Sequence, residues 1–393
     1  MTIQISREKI SQICFIIPAI LTTLAITQGD STLAPSWIVG MVSAINWLCF
    51  AVLLFLLPNK KLRHPVVLLA TVIWFLLSNF HQAQNNNAEL SGFLMFFLLS
   101  LFAFIEDKYL IKTIKYFRYY MIGMAMFGII IYVDFILGLG LPHEFVAYYG
   151  SNENASYANY FLSYLFVEFD GVRLCGLFNE PGYLGTFSGL FIVLDHFNYK
   201  RKGNWVLFVA GCLSFSMAFF VILIIGGCLT AIESWRKLIV GACFIAFFGG
   251  VISSIHTDNT AMNYLMQRFQ YDSKKGSFAG DNRKDYSFIV VEREFDSGNK
   301  QLFGYGTGYC KKKNVVKTAT YKSAIVEWGY LGFLLTYGLL VLSAFKMAQK
   351  NKAALILWVC FSLSLYQRPY IFSLAYYLIL FGGILYLKSE TNR

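Results

Sequence analysis

The chain has 393 residues, of which 57% are hydrophobic and 14% charged, with a formal net charge of +11 and a mean hydropathy of +0.54. That balance excludes an ordinary soluble domain, where about a quarter of residues are charged, and excludes a disordered chain, which needs low hydrophobicity. It fits one all-α domain over 1–393, a polytopic membrane helical bundle, because apolar runs near the ~20 residues that cross a hydrocarbon core recur along the whole length.

The first stretch, MTIQISREKISQICFIIPAILTTLAIT, opens charged and turns apolar as a signal peptide would. No small-x-small cleavage site follows the apolar core, so it is expected to remain as the first span. Hydropathy places further spans near 36–57, 66–82, 90–105, 119–140, 182–198, 237–255, 324–345, 353–367 and 370–387, after a first one near 10–27. Segment 204–232 is long for one crossing and short for two. Counted as a hairpin that turns at LSFSM, it brings the total to about twelve membrane segments.

Orientation follows from Lys and Arg, which collect in short cytoplasmic loops. With the N-terminus inside, the basic groups of 60–63, 108–118, 200–202, 236–237 and 346–352 all fall on the inner side, and both termini are cytoplasmic. A single crossing at 204–232 would put Lys346, Lys350 and Lys352 outside, so the hairpin is preferred. Two large outer loops remain, 141–181 and 256–323, and the second holds twelve basic residues, which suits an anionic partner. Within it, DYSFIVVEREFDSG has the mixed periodicity of an amphipathic helix ending at Gly298. Arginine forks match phosphate oxygens better than lysines do, so Arg173, Arg268 and Arg283 are the candidates for holding a diphosphate.

The sixth span opens with RLCGLFNEPGYLGT, where Glu180 and Pro181 are a helix start and Gly182, Gly185 and Gly189 allow close approach. Glu180 could serve there only to complement the helix dipole. GYGTGY at 304–309 lacks the strand–helix setting of a nucleotide loop, and Asn154 in a glycosylation sequon has no supporting context. Asp134 is a membrane carboxylate and so a functional candidate, whereas Asp195 and His196 are expected to mark the inner interface. His81, His143 and His256 are isolated and expected at the surface. No metal-ligand spacing is present, and most of the eight cysteines sit in apolar runs. Only Cys175 and Cys310 fall in polar loops, where they could pair. Tyr148, Tyr149, Tyr157, Tyr160 and Tyr164 form either a sugar-stacking surface or an interfacial aromatic belt.

RLCGLFNEPGYLGT resembles the arginine-glycine-phenylalanine-glutamate-proline-glycine signature of the bacterial O-antigen polymerase family, Wzy, and of related capsule and exopolysaccharide polymerases. QLFGYGTG followed by YKSAIVEWGYLGFLLTYG is similar to the family's Gly-x-Gly turn and its Glu-x-Gly-x-x-Gly span, and LSFSMAFFVILII is similar to its serine-containing short-helix element. The resemblance runs over residues 173 to 338. It implies a GT-C type membrane glycosyltransferase that joins undecaprenyl-diphosphate-linked repeat units at the outer face of the bacterial inner membrane, without metal, cofactor or nucleic acid. Its partners would be the lipid-linked oligosaccharide donor and acceptor, membrane lipid and a chain-length regulator protein. On this reading Arg173, Glu180 and Arg283 are catalytic, and Arg268, Tyr321, Lys322, Glu327 and Gly182 bind substrate, with Gly329 and Gly332 completing the second motif. O-antigen ligases usually carry a His-Asn pair before that motif. KTATYKSAIVE has no histidine, which favours a polymerase over a ligase. A polyisoprenoid-glycan flippase is the alternative from another class; charges kept at the span ends and the lack of repeated halves speak against it.

Overall fold

The computed structural model describes residues 7–24, 36–56, 61–83, 90–147, 155–161, 163–168, 171–232, 271–272, 277–278, 286–315 and 320–391. The expected span 237–255 and residues Tyr148, Tyr149, Asn154, His256, Arg268 and Arg283 lie outside them. The chain is mostly helical. Among the described residues, Trp37–Leu56, Asp107–Leu137 and Tyr321–Ala348 are long and apolar enough to cross a membrane.

Four helices come first, α1 (Arg7–Leu21), α2 (Ser36–Leu56), α3 (Pro65–Phe80) and α4 (Leu90–Phe102). Helix α5 (Asp107–Leu137) starts a dozen residues before the apolar run at 119. Its first turns are amphipathic: Leu110, Ile114, Phe117 and Met121 recur on one face and are fully buried, so packing carries the helix through a lysine-rich stretch. Gly138, left-handed at φ 62°, ends it by donating to the Asp134 carbonyl.

The stretch 141–181, expected as an outer loop, is not irregular where it is described. It holds a four-stranded antiparallel meander, β1 (Glu144–Ala147), β2 (Ala155–Asn159), β3 (Tyr164–Glu168) and β4 (Gly171–Gly176), paired in chain order. The all-α expectation is therefore corrected to a helical protein with a small sheet, and a second pair of two-residue strands joins 271–272 to 277–278. Strands β2 to β4 are buried almost throughout, so they lack the polar alternation of a half-exposed sheet. Tyr157 and Tyr164 pack with Phe166 and Cys175 in a small core, and Tyr160 is buried as well. These three tyrosines are core residues, neither a stacking surface nor a belt. Asp134 ties the sheet to α5, accepting from Leu141 N at 3.1 Å and from Tyr160 OH at 3.1 Å.

Helix α6 (Pro181–Leu194) is the centre of the molecule, with all its residues buried. Helices α7 (Lys202–Leu213) and α8 (Met217–Ala231) both lie along it. Asn204 at the start of α7 bonds Asp195 at the end of α6, and Ser214 beyond the end of α7 meets Gly185 near its start, so α7 runs antiparallel to α6. The pairs Gly185–Ser216, Gly189–Ile222 and Val193–Gly226 then make α8 parallel to it. Segment 204–232 is thus a hairpin with its corner at 214–216.

The rest comprises α9 (Tyr286–Ser297), the single turn α10 (Tyr309–Lys312), α11 (Tyr321–Ala348), α12 (Lys352–Gln367) and α13, which runs Leu374–Tyr377, makes a π turn over Leu378–Gly382 and continues as Gly383–Thr391. Helix α9 agrees with the amphipathic pattern, burying Phe288, Val291 and Phe295 against Tyr309, Cys310 and Val326. Cys175 and Cys310 are free thiols in separate cores, so they do not pair.

Candidate active site

The start of α6 gathers the charges. Glu180 occupies the residue before the first turn, with Pro181 in the first helical position, where its missing N–H costs nothing. The Glu180 side chain makes no hydrogen bond to the helix it precedes. It forms an ion pair with Arg368 instead. Capping alone therefore does not account for where this carboxylate points.

Arg368 is the first residue after α12, in the connection 368–373. Its side chain is 3% exposed, while that of Glu180 is 35% exposed, so the pair has a buried cation and an accessible anion. The guanidinium lies over the Tyr183 ring at 4.6 Å from the centroid, a favourable face for a desolvated cation. Its Nε–H is buried without an acceptor among the described residues. Gly182 makes the approach feasible, since a Cβ there would collide with Arg368 Nη2. The loop is held by Tyr337 OH, which donates to the Pro369 carbonyl, and by Arg368 N, which donates to Ser364 O at 2.8 Å.

Arg173 comes from the middle of β4, opposite Phe166. It is buried and spends donors on the hairpin corner, Nε to Ser214 O at 3.1 Å and Nη2 to Phe215 O at 3.4 Å. That corner abuts Gly185, where a Cβ would stand 2.7 Å from Ser214 Oγ. The buried Cys175 thiol is within electrostatic reach of Arg173, Glu180 and Arg368 together, and burial pushes its pKa upward. Arg173 thus reaches the hairpin corner beside Gly185, about one turn along α6 from the Glu180–Arg368 pair. Asn179, next to Glu180, accepts from Tyr157 OH on its carbonyl at 2.6 Å, and its side-chain Oδ1 is buried without a partner among the described residues. Tyr370 stacks on Tyr183 with centroids 5.7 Å apart, and leaves an exposed face beside the ion pair.

The second motif forms a different structure. Gly329 breaks α11 with φ 71° and ψ 173°, and the GYGTG loop docks into the break. Tyr305 N donates to Val326 O at 3.0 Å, Gly306 N to Glu327 O at 2.8 Å, Tyr330 N to Gln301 O at 2.9 Å and Leu331 N to Leu302 O at 3.1 Å. Gly304 at φ 76° and Gly329 each leave no room for a Cβ against the other's strand of backbone. The Glu327 carboxylate accepts from Cys310 N at 3.4 Å, so it holds the start of α10. His81 is joined to the same loop through Phe303 O at 2.8 Å, which ends its reading as an isolated surface residue. Lys322 pairs with Glu292 of α9, and the Tyr321 ring lies 5.8 Å from that of Tyr366.

Of the residues expected from sequence, Arg173, Glu180 and Gly182 meet in one place, whereas Glu327, Gly329, Tyr321 and Lys322 build the neighbouring latch. The end of α12 and the connection after it touch both, because Arg368 pairs with Glu180 while Tyr366 packs on Tyr321 and Phe372 on Trp328 at 6.4 Å. Arg368 is the residue that sequence reasoning missed. YQRPY carries no motif that would single it out. Among the described residues no cluster of three or more His, Cys, Asp or Glu is placed to hold a metal ion. No protein-family model, curated protein or solved structure matches the chain.

The arrangement can do two things. Fixed guanidinium charge in a water-poor setting stabilises an anionic leaving group. A carboxylate at the accessible edge can take a proton from a hydroxyl.

Proposed function

We propose that the protein is a polysaccharide polymerase of the bacterial inner membrane, a metal-independent glycosyltransferase that joins lipid-diphosphate-linked repeat units at the outer face. The observation that carries this reading is the turning of Glu180 away from its helix toward Arg368, at a point where Arg173, an unpartnered Asn179 oxygen and the exposed ring of Tyr370 are close by. The motif resemblance over 173–338 supports the choice of substrate.

In the proposed reaction the diphosphate of the donor competes with Glu180 for Arg368, and the carboxylate is released as the base. The acceptor hydroxyl oxygen bonds to the donor's anomeric carbon while the bond from that carbon to the diphosphate oxygen breaks. The diphosphate leaves with the electron pair, held by guanidinium charge, and Glu180 takes the hydroxyl proton. Asn179 Oδ1 accepts from a sugar hydroxyl, and Tyr370 stacks on a sugar face. Arg173 acts as a positioning residue through the hairpin corner and adds fixed positive charge. Arg268 and Arg283, outside the described residues, are further diphosphate candidates in the large loop.

The fourteen residues of α6 rise only about 21 Å, less than the ~30 Å hydrocarbon core. A twelve-segment bundle with both termini cytoplasmic would then sink the site below the outer surface, where a lipid-borne diphosphate enters from the side. Deletion of the gene in its host, followed by gel analysis of surface glycan, tests the reading. A polymerase defect leaves single repeat units on their anchor. Loss of all attachment would instead assign a ligase, and repeat units retained on the cytoplasmic side would assign a flippase.

A further inference from the structure

The opposite end of α6 opens on a cavity of about 570 Å³ between α5, α7 and α13. Three of its lining side chains are cations, Lys115, Arg118 and Arg201, against one lining acid, Glu390. Behind them, Asp195 is the only other carboxylate bonded to the group among the described residues; it pairs with Arg118 Nη2 at 3.0 Å and with Arg201. Arg118 Nη2 also donates to Asn204 Oδ1 at 2.8 Å, which exhausts that nitrogen. Its Nε–H is buried without an acceptor among the described residues. Lys115 pairs with Glu390 at 3.8 Å and Asp195 is shared by both arginines, so three cations face two carboxylates and the arginine forks keep donors beyond the ion pairs.

The cavity mouth continues onto an apolar surface of α5. Tyr119 lines it and begins an exposed stripe on α5 through Met126, Ile130, Val133 and Leu137, all on one helical face and extending about 27 Å. A water-soluble anion needs no such stripe, whereas a phospholipid needs a cationic seat for its phosphate and an apolar track for its acyl chains. We propose that this cavity binds the headgroup phosphate of an anionic phospholipid whose chains lie along α5. The lipid fills the gap between α5, α7 and α13 and braces the inner end of α6, far from the Glu180–Arg368 pair. The site is independent of the reaction proposed above.

The test uses the full chain, purified in detergent, with its thermal unfolding midpoint followed as lipid is titrated. Phosphatidylglycerol raises the midpoint well above the effect of phosphatidylcholine with the same acyl chains, and inorganic phosphate does not reproduce it. Lys115→Gln, at a partly exposed lysine that does not touch Asp195, weakens the phosphatidylglycerol response about fivefold, while Lys350→Gln, outside the cavity, leaves it unchanged. Equal response to the two lipids, full stabilisation by inorganic phosphate, or equal loss in the two lysine variants would overturn the assignment.

Discussion

Both ends of α6 carry a carboxylate paired with arginine, and they are built in opposite ways. At its C-terminal end the acid is hidden: Asp195 is 5% exposed, and its partners Arg118 and Arg201 are 12% and 47% exposed. At its N-terminal end the cation is hidden and Glu180 remains accessible. Asp195 sits where the helix dipole is negative, and the two arginines bonded to it offset that unfavourable end. Glu180 sits where the dipole already favours it, and still turns away to Arg368. The C-terminal group is a clamp whose acid is closed off, whereas the N-terminal pair keeps its acid at an accessible edge.

The contrast can be broken by removing each acid in turn. Asp195→Ala leaves Arg118 buried without its main partner and is expected to destabilise the fold by about 3–5 kcal/mol, read from denaturant unfolding in detergent. Glu180→Gln keeps an acceptor for Arg368 at a half-open position, so its loss is nearer 1.5–3 kcal/mol, yet it abolishes chain extension. Equal stability losses would mean that the two ends do the same work.

Two glycines sharpen the same distinction. Gly182→Ala drives a methyl into Arg368 and Gly185→Ala drives one into the Ser214–Ser216 corner, each with an overpacking cost of about 1–3 kcal/mol. Similar melting temperatures are expected, with polymer length falling furthest in Gly182→Ala, because only that change displaces the arginine of the pair.

The smallest effect belongs to an exposed ion pair. Hydrogen bonds from Tyr309 and Lys313 hold the Glu294 carboxyl below its ordinary pKa. Its contribution to the docking of α9 is therefore complete above the unfolded value, near 4.3, and disappears as pH falls through the lower folded value. Limited proteolysis of the 286–315 region should quicken over that acid window in the wild type, and Glu294→Gln should flatten the dependence.

How much of this was legible in the chain depends on whether the signal was local. The hairpin was legible from the placement of Lys346, Lys350 and Lys352 instead, because the length of 204–232 suits neither one crossing nor two. Helix α9 was legible locally, because its apolar residues recur at helical spacing. The sheet was not: β2 to β4 are buried almost throughout, so no alternation betrayed them. Glu180 was found by position, but a helix-start signature points to capping, and its turn toward Arg368 is set by a residue 188 positions away in sequence. The same holds for Gly304 and Gly329, whose positive φ values matter because each crosses the other's backbone.

The most direct test of the central claim is extension of lipid-diphosphate-linked repeat units by the purified protein in liposomes, comparing wild type with a Glu180→Gln variant verified as folded by its melting curve. A ladder of lengthened glycans is expected from the wild type and only single repeat units from the variant. A full ladder from folded Glu180→Gln would contradict it.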